Sequence, residues 1–262
     1  MATKAVAIAP PALGMGYYAR IFGRETRYEF VRMLRTRAFS LSVIGMPVMF
    51  FLLFGVTNRS AGWGQYLVPA YSSMGVGFAC LFGIGMAMAM ERAQGWLEVK
   101  QASPMPRILY LAAKVMGCAA FAIIIVGLLV LVGVTLGGVT VTALQVLELC
   151  GVILAGSVPF TAMALLVALL VPPNSGPGTI NLIYMPMCFA SGFFMPVKYM
   201  PHFVRLIAPA LPTYHLAQLA LNIFGLAQPY GSMAQHWEVL FGFTLLMLGA
   251  AWIIFTRMEA KA

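Results

Sequence analysis

Six long runs of apolar residues restrict the fold of this chain more than any other feature of its sequence. The runs cover approximately residues 39–56, 66–90, 115–136, 147–171, 179–195 and 239–255. A helical stretch of about 20 apolar residues matches the hydrocarbon thickness of a bilayer. The sequence therefore predicts an all-α, polytopic membrane protein with six transmembrane helices in a domain covering residues 39–256.

Composition excludes an ordinary soluble domain. Hydrophobic residues make up 61% of the chain and charged residues 9%, whereas soluble domains are roughly half apolar and about a quarter charged. A net charge of +9 would suggest nucleic acid in a soluble protein, but here most Lys and Arg residues lie in short segments before or between the apolar runs. We therefore expect a lipid membrane, and not nucleic acid, as the partner of these charges.

The distribution of basic residues predicts the orientation of the chain. Six spans place both termini on one side, and basic residues accumulate on the cytoplasmic side of membrane proteins. The side of the termini receives Lys4, Arg20, Arg24, Arg27, Arg32, Arg35, Arg37, Arg92, Lys100, Arg107, Lys114, Arg257 and Lys261. The opposite side receives only Arg59, Lys198 and Arg205. We therefore expect cytoplasmic termini, with tails of residues 1–38 and 257–262.

The segment before the first span predicts a basic amphipathic helix. Arg20, Arg24 and Arg27 fall on one side of such a helix. Aromatic and apolar residues fall on another side, namely Tyr17, Tyr18, Ile21, Phe22 and Tyr28. A helix of this kind is suited to lying in the membrane interface, and a plain basic juxtamembrane segment is compatible with the same pattern.

Small residues recur at every fourth position of the second span. They are Gly75, Ala79, Gly83 and Ala87. This spacing makes one smooth ridge on a helix, and such ridges let helix backbones approach closely in lipid. We expect this ridge to pack against another helix.

Prolines interrupt the apolar region 196–228. Pro196, Pro201, Pro209 and Pro212 each remove a backbone hydrogen bond and clash with the preceding helical turn. The pattern disfavours one straight spanning helix. It favours a re-entrant pair of short helices that dips into the membrane from the outer side before the last span.

Motifs for catalysis or nucleotide binding are missing from the sequence. There is no G-x-x-x-x-G-K-[ST] phosphate loop and no G-x-S-x-G elbow, and His202, His215 and His236 lack metal-binding spacing. The predicted span centres contain no Asp, Glu, Lys or Arg, which argues against a proton-coupled pump. We predict no catalytic, cofactor-binding or metal-binding residues, and therefore a chain that is not an enzyme.

Two motifs carry a resemblance to a known family. The first is E-R-A-Q-G-W-L-E at residues 91–98, followed by S-P at 103–104 and A-K at 113–114. The second is G-F-F-M-P at residues 192–196, followed by Pro201 and by P-T-Y at 212–214. With these motifs, the span count and the basic start, the chain resembles the permeases of type-2 ATP-binding cassette (ABC) exporters, a group that includes drug-export and polysaccharide-export permeases.

The resemblance implies a role for the charged loop 91–114. The loop would hold a coupling helix that docks into a separate nucleotide-binding ATPase subunit, which carries the ATP and magnesium. The chain itself would bind no cofactor, and its interfacial helix would lie beside the ATPase along the inner leaflet. The implied coupling residues are Glu91, Arg92, Gly95, Glu98, Pro104 and Arg107.

The resemblance also implies an assembly and an outer gate. Two permease copies, forming a homodimer, or two related chains would surround a central path in a bacterial inner membrane. The outer helix pair within 196–228 would close that path. The implied gate residues are Pro196, Pro201, Pro212 and Tyr214.

The spans favour a hydrophobic or amphipathic small molecule, such as a drug, as the exported substrate. They are rich in Met, Ala, Gly and Leu, and Met-rich surfaces adapt to varied apolar ligands. Two alternatives stay open, namely export of a polysaccharide or lipid-linked glycan by the same kind of permease, and ATP-independent secondary transport. No residue is assigned to substrate binding.

Overall fold

The computed structural model of the chain describes residues 14–95, 106–172, 175–228 and 231–259. Every regular element in this part of the chain is a helix, which confirms the all-α prediction. The α-helices are α1 (Met15–Arg35), α2 (Arg37–Phe50), α3 (Trp63–Cys80), α4 (Ala87–Ala93), α5 (Arg107–Thr135), α6 (Ala143–Leu170), α7 (Gly176–Ala190), α8 (His202–Ile207), α9 (Pro212–Ile223) and α10 (Met233–Glu259).

Short π-helical and 3-10 segments join these helices. The π-helical turn Phe51–Val56 extends α2, and the π-helical turn Leu81–Met86 connects α3 to α4 without a break. The 3-10 turns are Arg59–Ala61, Val197–Tyr199 and Ala208–Ala210. The two π-helical turns therefore convert pairs of helical segments into continuous rods.

Five helical rods are long and apolar enough to cross a membrane. They are Arg37–Val56, Trp63–Glu91, Ile108–Thr135, Ala143–Leu170 and Met233–Arg257. The predicted fifth span corresponds to α7, which has only 15 residues and so extends about 22 Å, less than the ~30 Å hydrocarbon core. The polytopic prediction is confirmed by five candidate spans, and the sixth span stays a prediction.

The rod Trp63–Glu91 forms the centre of the bundle. In its apolar stretch of 18 residues, 78% of the residues are buried inside the chain. The corresponding share is 22% for Arg37–Val56 and 17% for Met233–Arg257. The helices α5, α6 and α9 pack around it. The first and last of the five rods therefore expose most of their apolar surface on the outside of the single chain.

The short helix α7 runs antiparallel to the central rod. Its first residue, Gly176, lies against the side chain of Met86. Further along, the hydroxyl of Tyr184 donates to the carbonyl of Met74 at 2.8 Å. Beyond the end of α7, Tyr66 donates to the carbonyl of Gly192. Residues 176–192 therefore lie alongside residues 66–86.

The proline-rich region folds into two helices of different environment. α8 begins after Pro201 and has no buried residue, whereas Pro212 starts α9, which is buried from its first residue to Leu221. The side chain of Leu216 packs on Gly156, halfway along α6, and the carbonyl of Ile223 accepts from Gln145 Nε2, near the start of α6, at 3.2 Å. The helix α9 therefore runs from inside the bundle to one of its ends.

Candidate functional site

Five side chains from three helices form a polar cluster at one end of the bundle. They are Glu29 and Arg32 of α1, Glu91 of α4, and Tyr110 and Lys114 of α5. Lys114 Nζ lies 2.8 Å from Glu29 Oε1 and 2.9 Å from Glu91 Oε1. Arg32 Nη2 lies 2.6 Å from Glu29 Oε2, and Tyr110 donates a hydrogen bond to Glu91 Oε2. These five residues are called the ionic cluster below.

The ionic cluster is deeply buried and electrically balanced. The side chains of Glu29 and Lys114 are each 1% exposed, and those of Glu91 and Arg32 are partly covered. Two carboxylates face two cations, so the formal charges cancel. An isolated buried charge is strongly unfavourable, and a buried pair is stable only while both partners remain. The three helices are therefore tied together as one unit at this point.

The ionic cluster brackets the connection between the second and third rods. Glu91 lies near the end of α4, and Tyr110 and Lys114 lie in the first two turns of α5. At the end of α4, Gly95 adopts a left-handed conformation with φ of 72°, which glycine tolerates without steric cost. Both ends of the connection are consequently anchored to each other and to α1.

Local sequence explains how α1 reaches the ionic cluster. Glu29 and Met33 are its two buried residues and lie four positions apart, so they share one face of the helix. That face meets α5 at Gly117, where an added Cβ would lie 3.4 Å from Glu29 Cβ. The ring of Phe30 packs edge-to-face on Phe121 with centroids 5.6 Å apart. The absence of a side chain at Gly117 lets the two backbones approach.

The predicted coupling residues have different positions. Glu91 is part of the ionic cluster, Gly95 lies in the turn after α4, and the backbones of Arg92 and Arg107 lie in α4 and α5. Glu98 and Pro104 lie outside the described residues. Lys114 was expected in the loop and instead lies buried in α5, because α5 begins at Arg107.

Sequence reasoning missed the roles of Glu29, Arg32 and Tyr110. One signal was available, since Glu29 falls on the same helical face as Met33, and an acid on an apolar face requires a partner. The identity of that partner was not available, because Lys114 is 85 residues away.

The predicted interfacial arginines are exposed on α1. Arg20, Arg24 and Arg27 all point away from the face that carries Glu29. Tyr28 is 59% exposed and so lies on the exposed side rather than with the apolar residues. The exposed face of α1 is therefore strongly basic.

The small-residue ridge of the central rod faces α5 and α1. An added Cβ at Gly75 would lie 2.7 Å from Ile125 Cγ2, and one at Gly83 would lie 2.8 Å from Met33 Cε. Between them, the carbonyl of Ala79 accepts from Cys118 Sγ at 3.3 Å. Ala87, the last ridge residue, is buried in α4. The ridge therefore lies at helix contacts along its length.

The predicted gate residues lie in the half of the bundle that is remote from the ionic cluster. Pro196 and Pro201 precede the 3-10 turn Val197–Tyr199 and α8, and Pro212 is the first residue of α9. Tyr214 is buried, and its ring contacts those of His215 and His236 edge-to-face. The structure thus brings Tyr214 into an aromatic group and leaves the prolines at the helix boundaries.

A buried histidine pair joins α9 to α10 beside Tyr214. Nδ1 of His215 lies 2.8 Å from Nδ1 of His236, and Nε2 of His215 lies 2.8 Å from the carbonyl of Pro209. His215 must donate from Nε2 to that carbonyl, so its Nδ1 accepts a hydrogen bond from Nδ1–H of His236 when both rings are neutral. Within the described structure Nε2 of His236 is buried and has no hydrogen-bond partner.

The described residues form no cluster that could bind a metal ion. Among the described residues, no three His, Cys, Asp or Glu side chains lie close enough to hold a metal ion together. The four cysteines, at positions 80, 118, 150 and 188, are free thiols.

Known proteins are similar to this chain over most of its length. The family model described as ABC-2 type transporter matches residues 22–225, a region that includes the ionic cluster and α9. YvfS of Bacillus subtilis (strain 168), named as a candidate transport permease, is 26% identical over 208 residues. That alignment covers 78% of this chain and 85% of the relative.

Proposed function

Because the chain belongs to the ABC-2 type transporter family, we propose that it is the permease subunit of an exporter powered by a separate ATP-binding subunit. The observation that carries this proposal is the ionic cluster, which brackets residues 94–106. A partner that grips this connection would pull on α4, α5 and α1 together. Catalysis of ATP hydrolysis, with ATP and magnesium, would belong to the partner.

The described rods contain no charged residue that could carry a proton through the middle of the membrane. Within the five rods, Glu148, Glu238 and Lys114 lie within the first seven residues, and the remaining Glu and Arg residues lie at the very ends. Proton relays in membrane proteins need ionisable groups within the span. This arrangement supports an external source of energy over secondary transport, and the apolar composition of the rods supports a hydrophobic or amphipathic small molecule as the substrate.

We further propose a six-span topology with cytoplasmic termini in a bacterial plasma membrane. The position of α7 supports it, because residues 176–192 run alongside residues 66–86 of a rod that is long enough to span. The ionic cluster and the basic face of α1 would lie on the cytoplasmic side. α8 and α9 would form the re-entrant pair that closes the path at the outer side.

A second permease copy is part of the same proposal. In the apolar stretches of the rods Arg37–Val56 and Met233–Arg257, only 22% and 17% of the residues are buried within the chain. Such surfaces contact lipid or another membrane helix. We propose that part of this surface pairs two copies around the central path.

Reconstitution tests the proposed function. The chain is co-expressed with a candidate ATP-binding subunit from the same organism, and uptake of a fluorescent lipophilic dye into inside-out vesicles is measured. We expect ATP-dependent uptake that requires both subunits and stops when the ATPase is replaced by a variant that binds but does not hydrolyse ATP. Uphill uptake by the chain alone, without any ATPase, would refute the proposal.

A further inference from the structure

A cavity with a cationic wall opens in the segment that precedes α9. Its volume is about 300 Å³, and its lining includes Lys198, His202, Arg205, Leu206 and Tyr214. It lies at the end of the bundle remote from the ionic cluster, because Tyr66 and Gly192 meet at this end. We call it the basic cavity.

Among the described residues, no acidic side chain neutralises the positive charges of the basic cavity, and none of the residues lining it carries a carboxylate. In the described part of the chain, Lys198 and Arg205 form no ion pair, and Lys198 Nζ lies over the ring of Tyr199 at 5.0 Å from its centroid. The site therefore offers two free cationic groups and an imidazole to a ligand from outside.

Basic residues are expected to be rare at this end of the bundle. The sequence pattern assigns only Arg59, Lys198 and Arg205 to it, against thirteen basic residues at the other end. Two of the three nevertheless line one cavity of about 300 Å³. Their convergence indicates a function for positive charge at this place.

The helix beside the basic cavity carries an exposed apolar side. Phe203, Leu206 and Ile207 of α8 are 64%, 74% and 50% exposed. Leu206 also lines the cavity, together with His202 and Arg205 of the same helix. Apolar side chains next to basic ones are typical of segments that lie at a lipid surface, with the bases at the level of the headgroups. This arrangement favours a ligand that presents both an anionic group and acyl chains.

We propose that the basic cavity binds the phosphate headgroup of an anionic phospholipid from the leaflet at that end of the bundle. Lys198 and Arg205 would contact the phosphate oxygens, while Phe203, Leu206 and Ile207 contact the acyl chains. A second copy of the chain fits less well, because a two-fold contact would oppose identical positive patches. The inference needs only the membrane embedding of the chain and not the proposed ATPase.

Native mass spectrometry of the purified full-length protein tests this proposal. The probes are phosphatidylglycerol and phosphatidylcholine with identical acyl chains, and inorganic phosphate as a soluble anion. We expect the wild-type protein to prefer phosphatidylglycerol. Each basic residue near an anionic surface contributes roughly a fivefold factor, so the double variant K198Q/R205Q should lose about tenfold or more of its affinity for phosphatidylglycerol.

The control is Arg59→Gln, which removes one positive charge from the same end of the bundle but lies outside the basic cavity. It is compared with the single variant Lys198→Gln, which also removes one positive charge. Gel filtration verifies that each variant is folded. The proposal is overturned if Lys198→Gln behaves like Arg59→Gln, or if both lipids bind equally well. It is also overturned if inorganic phosphate binds as tightly as phosphatidylglycerol, since the cavity would then be a site for free anions.

Discussion

The ammonium group of Lys114 lies 2.8 Å from a carboxylate oxygen of Glu29, although 85 residues separate them. Both side chains are 1% exposed. The contact joins α1, which precedes the first span, to the beginning of α5. It makes α1 an integral part of the bundle rather than a segment that merely rests on the lipid.

Replacing Lys114 by Met is expected to destabilise the folded protein severely. The variant takes away the ammonium group that lies between Glu29 and Glu91, and breaking a buried ion pair typically costs about 3–5 kcal/mol. Thermal unfolding of the purified protein in detergent measures the loss. Lys198→Met is the matched control, because Lys198 is exposed and forms no ion pair within the described structure. Equal unfolding temperatures for the two variants would contradict the buried ion pair.

Gly77 is expected to tolerate no larger residue. A Cβ at this position would lie 1.9 Å from the hydroxyl oxygen and 2.3 Å from the Cζ of Tyr184, inside a fully buried contact. Overpacking of this kind typically costs roughly 1–3 kcal/mol, so Gly77→Ala should lower the unfolding temperature. Gly127→Ala is the control, because a Cβ there meets nothing within 4 Å and it lies in the apolar helix α5. Identical stability of both variants would show that α7 does not pack on the central rod in this way.

The long apolar runs made most of the fold predictable from sequence, whereas the contacts between distant residues could not be predicted. The rod Arg37–Val56 was predicted at 39–56, because hydropathy alone decides where a chain can cross lipid. The ionic cluster escaped prediction because it depends on the contact of α1 with α5, which no local pattern encodes. α7 was the hardest element, since its 15 residues fall short of a full span and its depth is set by Tyr184 and Gly192.

Glu91→Gln is expected to separate folding from coupling. The amide oxygen of Gln can still accept from Tyr110, and Lys114 keeps Glu29, so the protein should fold. The link from α4 to Lys114 loses its charge, however, and hydrogen bonds to charged groups are roughly twice as strong as neutral ones. In the reconstituted complex we expect less substrate transported per ATP hydrolysed.

The same substitution at Glu25, on α1 but outside the ionic cluster, is the control for Glu91→Gln. Unchanged transport per ATP in Glu91→Gln would remove the ionic cluster from the proposed transmission. A fall that Glu25→Gln reproduces would assign the effect to general loss of acidic charge near the membrane.

Acidification is expected to weaken the contact between α9 and α10. Burial lowers the pKa of His215 below its ordinary value of 6.5, so the unfolded chain binds this proton at a higher pH than the folded protein does. The stability that depends on a neutral His215 is therefore complete above pH 6.5 and decreases as the pH falls through 6.5 towards the lowered pKa. Geometry gives the same direction, because two ring nitrogens 2.8 Å apart can share one proton but not hold two.

The unfolding temperature of the wild-type protein should thus fall more between pH 7.5 and pH 5.5, values spanning the ordinary His pKa of about 6.5, than that of His215→Gln. His202→Gln replaces an exposed histidine and should keep the wild-type dependence, and an unchanged pH dependence in His215→Gln would show that this pair does not titrate with folding.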